Sequence, residues 1–391
     1  MKKLLISFFV SLCFFSLAFS FDFGLNIQNY TSFLKQDESQ TFVQSNTASL
    51  WASQRAETYE AAGSGSYTFN YVKTVDTNLI DRGIFDLDYL YYTRFLSFED
   101  QVVDTLDVQV GRFFTNNVNT YVFNSKLDGL KAEASLNNLS FGAQILYTGL
   151  LLNKTSPIKM SVGDSENTDN FGSKRIIYSA YALFDEFVSR QNAHFEFVGQ
   201  NDLNAYEDDS LDSYYLSLGL NGSIIPSLGY NLDSVYELVN SDQVEQYVLI
   251  DGKLQLAVPN IKGQFSAGGV FSFALQDSDF GFQAITEKSL SFVDPFIVAK
   301  NVQSLLFAAN FNFTSFFSLS TKLQSYIDKN LGSEDAAAYR GTELGLICNL
   351  IPTSDFSVSI SGGVLFLDKN AVVEEGSATA FKVSLAASIF I

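Results

Sequence analysis

Residues able to make or break bonds are few in this sequence. His194 is its one histidine, two positions before Glu196. Any Ser-His-Asp relay would have to be built on it, and the plainer reading is a polar side chain on a strand. Zinc calls for a cluster of Cys and His, and the chain offers only His194, Cys13 and Cys348. No Gly-rich phosphate loop or dinucleotide fingerprint stands between a strand and a helix. The segment 201–212 (NDLNAYEDDSLD) groups Asp202, Glu207, Asp208, Asp209 and Asp212 with no base. Carboxylates are hard oxygen ligands for calcium, but the EF-hand spacing is missing, which leaves a solvated acidic loop. No catalytic residue, metal site or cofactor is expected.

A second set of polar groups has a different use. Asp86, Asp88, Arg94, Asp107, Lys131, Glu133, Asp251, Lys253, Lys322 and Glu343 fall on the polar parity of alternating segments. Asp22, Asp233, Lys262 and Lys382 do the same. Opposed charges across a constriction orient polar solutes and set ion preference. Such charges also pair with one another to fill an interior. Both roles stay open for these candidate pore-lining positions.

The elements that would hold them are strands. Leu305, Phe307, Ala309, Phe311 and Phe313 alternate with Leu306, Ala308, Asn310, Asn312 and Thr314. Phe356, Val358, Ile360, Val364 and Phe366 alternate with Ser357, Ser359, Ser361 and Gly363. The last segment sets Phe381, Val383, Leu385, Ala387 and Ile389 against Lys382, Ser384, Ala386 and Ser388. A soluble sandwich coats its outer face with Lys and Glu. Here Ser, Gly, Asn and Thr occupy the polar parity, which suits a wet lumen with lipid on the other side. Reading the whole chain this way gives about eighteen strands, with sixteen or twenty as alternatives. They lie near 21–32, 45–54, 63–73, 84–95, 104–113, 127–136, 139–149, 175–185, 193–200 and 213–221. The series continues near 228–238, 246–258, 261–274, 302–313, 316–326, 339–350, 354–367 and 378–391.

The connections alternate between short and long. Asn137-Asn138, Pro259-Asn260, Thr314-Ser315 and Ile351–Thr353 are tight. Between them lie 114–126, 150–174, 201–212, 275–301, 327–338 and 368–377. Short periplasmic turns opposite longer external loops are the layout of an outer-membrane barrel. An even strand number then leaves both ends of the wall on the short-turn side. Tyr89/Tyr91/Tyr92, Tyr178/Tyr181 and Tyr214/Tyr215 fall near strand ends, where an amphipathic ring suits the lipid–water interface.

Composition agrees with an exported membrane protein. Lys2 and Lys3 precede an apolar run over 4–19, and Ala18-Phe19-Ser20 gives small residues at a cleavage spacing. Residues 1–20 read as a cleaved signal peptide and 21–391 as the barrel. Beyond the signal no apolar run reaches helical spanning length, so the span must be made by strands. Apolar residues are 47% of the chain and charged ones only 17%, which is not the balance of a disordered segment. Forty-three acids against 24 bases exclude the basic face that nucleic acid demands.

A resemblance adds detail. The stretch 106–113 (LDVQVGRF), a polar loop, then 124–136 (NSKLDGLKAEASL) and 139–149 (LSFGAQILYTG) resembles bacterial porins. It is similar to the eighteen-strand substrate channels and the alginate-exporter type of barrel. That resemblance implies that Leu106, Val108 and Val110 face lipid, with Gly111-Arg112 at the strand's outer end. It also implies that Asp128-Gly129 begins the returning strand. Such barrels often end in an aromatic residue, and this chain ends Phe390-Ile391.

The expectation is an all-β, antiparallel, up-and-down transmembrane barrel in the cell outer membrane. Its function would be that of a porin, a water-filled channel for diffusion of small hydrophilic solutes. The alternatives are a transporter of hydrophobic molecules such as long-chain fatty acids, or a structural or adhesive surface barrel. Outer-membrane lipid, small solutes and the barrel-assembly machinery are the implied partners, and assembly into a homo-oligomer stays open. The loop 275–301 is long and apolar, with Phe280, Phe282, Ile285, Leu290, Phe292, Phe296, Ile297 and Val298. Those side chains predict a loop folded inward to narrow the pore. The rival is an extra hairpin turning at Glu287-Lys288.

Overall fold

The computed structural model describes residues 21–36, 39–75, 78–98, 103–158, 171–203, 212–240, 244–275, 281–286, 288–295, 297–298, 302–328, 339–368 and 379–391. The signal segment 1–20 lies outside them, as do Glu207, Asp208, Asp209, Phe280, Glu287 and Phe296.

Eighteen strands follow one another. The first nine are β1 (Asp22–Gln36), β2 (Ser39–Ala56), β3 (Tyr59–Lys73), β4 (Asn78–Ser97), β5 (Thr105–Asn116), β6 (Asn124–Leu136), β7 (Leu139–Tyr147), β8 (Arg175–Val188) and β9 (Gln191–Asp202). The second nine are β10 (Asp212–Ile225), β11 (Leu228–Asn240), β12 (Val244–Val258), β13 (Gly263–Ala274), β14 (Val302–Asn312), β15 (Phe317–Asp328), β16 (Tyr339–Thr353), β17 (Phe356–Leu367) and β18 (Thr379–Phe390). Each pairs antiparallel with its neighbours in sequence, and β1 pairs with β18 from Asn26↔Phe390 to Gln36↔Ala380. Hydrogen bonds of 2.8 Å in each direction between Leu25 and Ile391 finish the seam. Closure leaves each described strand with a partner on both sides, as a lipid setting demands.

All the expected strands are present. Most run further than the alternation alone suggests, whereas β7, β13, β14, β17 and β18 are slightly shorter, and β5 and β6 reach Asn116 and Asn124 rather than turning near Arg112 and Asp128. The twenty-strand alternative fails. β13 pairs directly with β14, from Gly263↔Phe311 to Val270↔Ser304. The described residues between them make only isolated bridges, such as Ser289↔Val298.

One parity of the wall is apolar and exposed, as Phe307 (60%), Val383 (50%) and Phe366 (52%) show. The other carries hydroxyls and amides that pair across strands. Ser357 meets Ser388 at 2.6 Å, Ser361 meets Ser384 at 2.8 Å, and Thr47 meets Thr68 at 2.9 Å. Connections 57–58, 137–138, 189–190, 226–227 and 354–355 gather at one rim with the start of β1 and the end of β18. At the opposite rim lie the described residues 117–123 and 148–158 of the longer connections.

Candidate functional site

The polar parity encloses a lumen, and three segments of the long-loop rim turn into it. Residues 117–123 lie against β9. The backbone N–H of Val118 donates to Glu196 Oε2 at 2.7 Å, and Asn117 Nδ2 reaches the same oxygen at 3.3 Å. Residues 148–158 follow, with Leu151 and Ile158 buried. The third segment comprises the described residues 281–286, 288–295 and 297–298. Ile285 N–H donates to Val122 O at 2.8 Å and Asn124 N–H to Thr286 Oγ1 at 2.8 Å, so the third segment rests on the first.

The apolar side chains of these segments form two clusters with the inner wall. Phe113, Val122, Phe123, Leu127, Phe282 and Ile285 belong to the first, together with Val198, Tyr215, Val235 and Leu249 from β9–β12. Val293 and Ile297 belong to the second, with Val302, Tyr326, Leu365 and Ala380 from β14, β15, β17 and β18. The same loop thus touches both sides of the barrel. Its apolar residues pack against the inner wall because that removes them from water. The expected infolding of 275–301 is what its described residues show.

Burial divides the lumen wall. Along β9–β11 the inner parity lies under the loops: Glu196, Ser217, Val235 and Glu237 are all 0% exposed. Along β1, β2 and β17, Gln28, Thr47, Ser357 and Ser359 stay accessible. Among the described residues the turned-in segments therefore cover the wall at β9–β11 and leave the hydroxyl- and amide-bearing wall of β1, β2 and β17 accessible.

The expected charged positions separate into groups. Asp107 pairs in register with Glu133, and Lys131 Nζ lies 3.0 Å from Glu133 Oε2. Tyr181 adds its hydroxyl to Glu133 at 2.8 Å, crossing the gap left by Gly142. Asp251 and Lys253 stand on β12, with Asp233 opposite Asp251. Tyr121 hydrogen-bonds Asp251; burial first, then the charge of that carboxylate, pushes the Tyr121 phenol well above its usual range. Lys322 and Glu343 form an ion pair of 3.2 Å beneath the third segment.

Asp86 and Asp88 sit where the wall opens. β4 pairs with β5 only from Leu90↔Arg112 down to Ser97↔Thr105. At that limit Gly111 has φ +121°, and a Cβ there would lie 2.2 Å from Leu90 O. Only glycine takes this left-handed conformation at such a close approach. Above it, Arg112 grips Asp128 at 2.7 and 2.9 Å and Leu150 O at 2.9 Å. Lys126 Nζ stands 2.5 Å from Asp86 and 3.6 Å from Asp88, and Thr155 donates to Asp86 at 2.7 Å. An ion-pair network and a turned-in loop close the seam that the hydrogen-bond ladder leaves.

Arg94 corrects the sequence reading. Tyr89 pairs with Ser64 while Leu87 pairs with Gly65, so Asp88 is an extra residue and β4 carries a bulge. A one-residue insertion moves every later side chain to the other face. Arg94 thereby joins exposed Leu90 and Tyr92 on the outer parity, near the short-turn rim, with Thr58 Oγ1 3.3 Å away.

No family model matches the chain. No curated protein matches it either. Solved structures do. Pseudomonas aeruginosa OccK7 (OpdD) aligns with a TM-score of 0.63 at 12% identity, covering 94% of this chain and 99% of that one. P. aeruginosa OpdK, solved with vanillate, gives 0.63 at 10% identity, covering 95% and 98%. Acinetobacter baumannii OccAB4 gives 0.61 at 10%, with the same coverage. The fold is shared with these outer-membrane porins.

Within this barrel the tyrosine pattern is mixed. Tyr92, Tyr178 and Tyr214 keep the outer parity. Tyr91 turns to Glu60 at 2.6 Å, Tyr181 to Glu133, and buried Tyr215 to Gln283 O at 2.7 Å. The girdle expected from all seven is built by only some of them. His194 lies on the inner face, 3.3 Å from Asp233 across Gly219, whose missing side chain lets the two meet. The sequence reading missed Glu237 and Asn117, and it read Glu196 only as a neighbour of His194. Glu196 and Glu237 accept from loop backbone groups remote in sequence, while Asn117 accepts from Val122 and Phe123 within its own turn and donates to remote Glu196; alternation carries no sign of these.

Proposed function

We propose that the chain forms a water-filled channel in a bacterial outer membrane, through which small hydrophilic solutes diffuse. The observation that carries this is the closed wall, apolar outside and polar within, whose lumen is narrowed on one side while a hydroxyl-bearing side stays accessible. Solved structures of the same fold at 10–12% identity are outer-membrane porins, which supports the reading. Residues 1–20 act as the cleaved export signal, the outer face contacts lipid, and the barrel-assembly machinery inserts the wall.

Asp107, Lys131, Glu133, Asp251 and Lys253 line the passage in this reading. Asp86 and Asp88 seal the seam beside β5, and Lys322 and Glu343 support the constricting loop. The balance favours cations. Among the described residues Arg112, Lys126, Lys131 and Lys322 are each tied to a carboxylate, while Asp107 stands in register with Glu133, whose ion pair is with Lys131. Unpaired negative charge in a narrow passage attracts cations and repels anions.

Conductance of purified protein in a planar bilayer tests the channel, with swelling of proteoliposomes in neutral sugars testing solute passage. Stepwise ion conductance is the expected result. A well-inserted barrel that conducts nothing and passes no sugar overturns it.

A further inference from the structure

Three glutamates of the inner wall have the same use. Glu196, Glu237 and Glu343 are each 0% exposed, and each accepts backbone N–H groups from a turned-in segment. Glu196 takes Val118, and Glu237 takes Gln283 at 2.7 Å. Glu343 takes Phe292 at 3.1 Å and Val293 at 3.3 Å, together with the hydroxyl of Ser291. Tyr326 adds its hydroxyl at 3.3 Å and Lys322 its ammonium at 3.2 Å. The lysines complete the grip from the other polarity. Lys322 donates to Leu290 O at 3.3 Å, and Lys382 donates to Phe292 O at 3.0 Å with its charge 5.0 Å from the Phe292 ring.

Burying a carboxylate is costly unless hydrogen bonds and a counter-charge meet it. At Glu343 both come from a loop and a neighbouring strand. Charge-assisted bonds to N–H groups are about twice as strong as neutral ones. A serine or asparagine at 343 would satisfy fewer of these donors. An unpaired loop N–H buried there would cost about 1–3 kcal/mol.

We infer that Glu343 is a positioning residue for the proposed channel: it pins 291–293 across the lumen and thereby sets the size of solute admitted. Glu237 pins the other half of the same loop, and Glu196 pins the segment beneath it. This rests on the channel reading, since a pin is measured through the pore it narrows.

The experiment compares wild type, E343A, E343Q and a deletion of residues 283–294, in planar bilayers and in swelling assays with neutral oligosaccharides of graded size. E343A should raise single-channel conductance about twofold, as a conduction path widens with the area freed, and should admit larger sugars. E343Q keeps a carbonyl oxygen for the loop N–H groups and should stay close to wild type. In the deletion background E343A should add nothing, because the residue acts through the loop. F292P changes no wall residue but removes one donated N–H together with the ring that meets Lys382; it should move conductance the same way and further than F292A, which loses the ring and keeps the N–H, and that pair decides the matter if E343A does not assemble. Unchanged conductance and size limit in E343A and F292P overturn the pin. An equal further effect of E343A in the deletion background overturns it too. A wild-type protein that conducts nothing overturns the channel reading itself, and the pin with it.

Discussion

Phe307 and Asn310 lie on one strand, three residues apart and on opposite faces. Phe307 is 60% exposed on the outer parity and occupies the middle of β14 (Val302–Asn312), five residues from each end. At ~3.4 Å per residue and a tilt of roughly 40°, that places it about 13 Å along the axis from either end of the strand. The apolar band of such barrels is about 25 Å tall, so Phe307 is near its midplane. F307R should cost about 2–4 kcal/mol, the penalty for arginine at that depth. A tenfold change per ~1.4 kcal/mol makes this about 30-fold to 700-fold in the folding equilibrium. Asn310 sits between Gln264 and Ser320 on the inner face, where a long cationic side chain reaches water. N310R should stay within about 0.5 kcal/mol of wild type. Urea unfolding in lipid vesicles gives both values, and the boiled-against-unboiled gel shift gives the folded fraction. Equal destabilisation by the two substitutions would refute the assignment of faces and show a filled interior behind Asn310.

Gly111→Ala should destabilise the barrel by about 1–3 kcal/mol, because its positive φ and close approach to Leu90 O admit no Cβ; urea midpoints in vesicles check it, and a neutral effect would mean that β5 leaves the wall differently. Reversal potentials in a KCl gradient should show cation preference, reduced by D107N and left unchanged by R94M, since Arg94 lies outside the lumen; a shift with R94M would place that side chain in the passage. Replacing Arg112 by Met should leave Asp128 and Asp86 without their shared guanidinium. It should lower stability by about 3–5 kcal/mol if the seam is closed by that buried network, read as an earlier loss of the folded gel band on heating.

The strand number and the two faces were legible in the sequence because each is a local property. A wall residue such as Val383 meets lipid and its neighbour Ser384 meets the lumen whatever the rest of the chain does, so a period of two is written into every strand. The inward turn of 275–301 was legible for a related reason. Phe282, Ile285 and Ile297 in a long connection need burial, and the lumen is the burial within reach. Arg94 was misread because one extra residue at Asp88, visible only in the pairing of β4 with β3, reverses the parity that follows. Which polar groups the loops meet was decided by tertiary structure alone. Asn124 and Thr286 are 162 residues apart, and Glu343 takes its donors from a loop about fifty residues earlier. Alternation tells a side chain which way to face, whereas its partner across a closed barrel depends on where remote segments come to rest. That is why a row of inward charges could be drawn from the sequence, while the three buried glutamates that hold the loops became apparent only once the wall was closed.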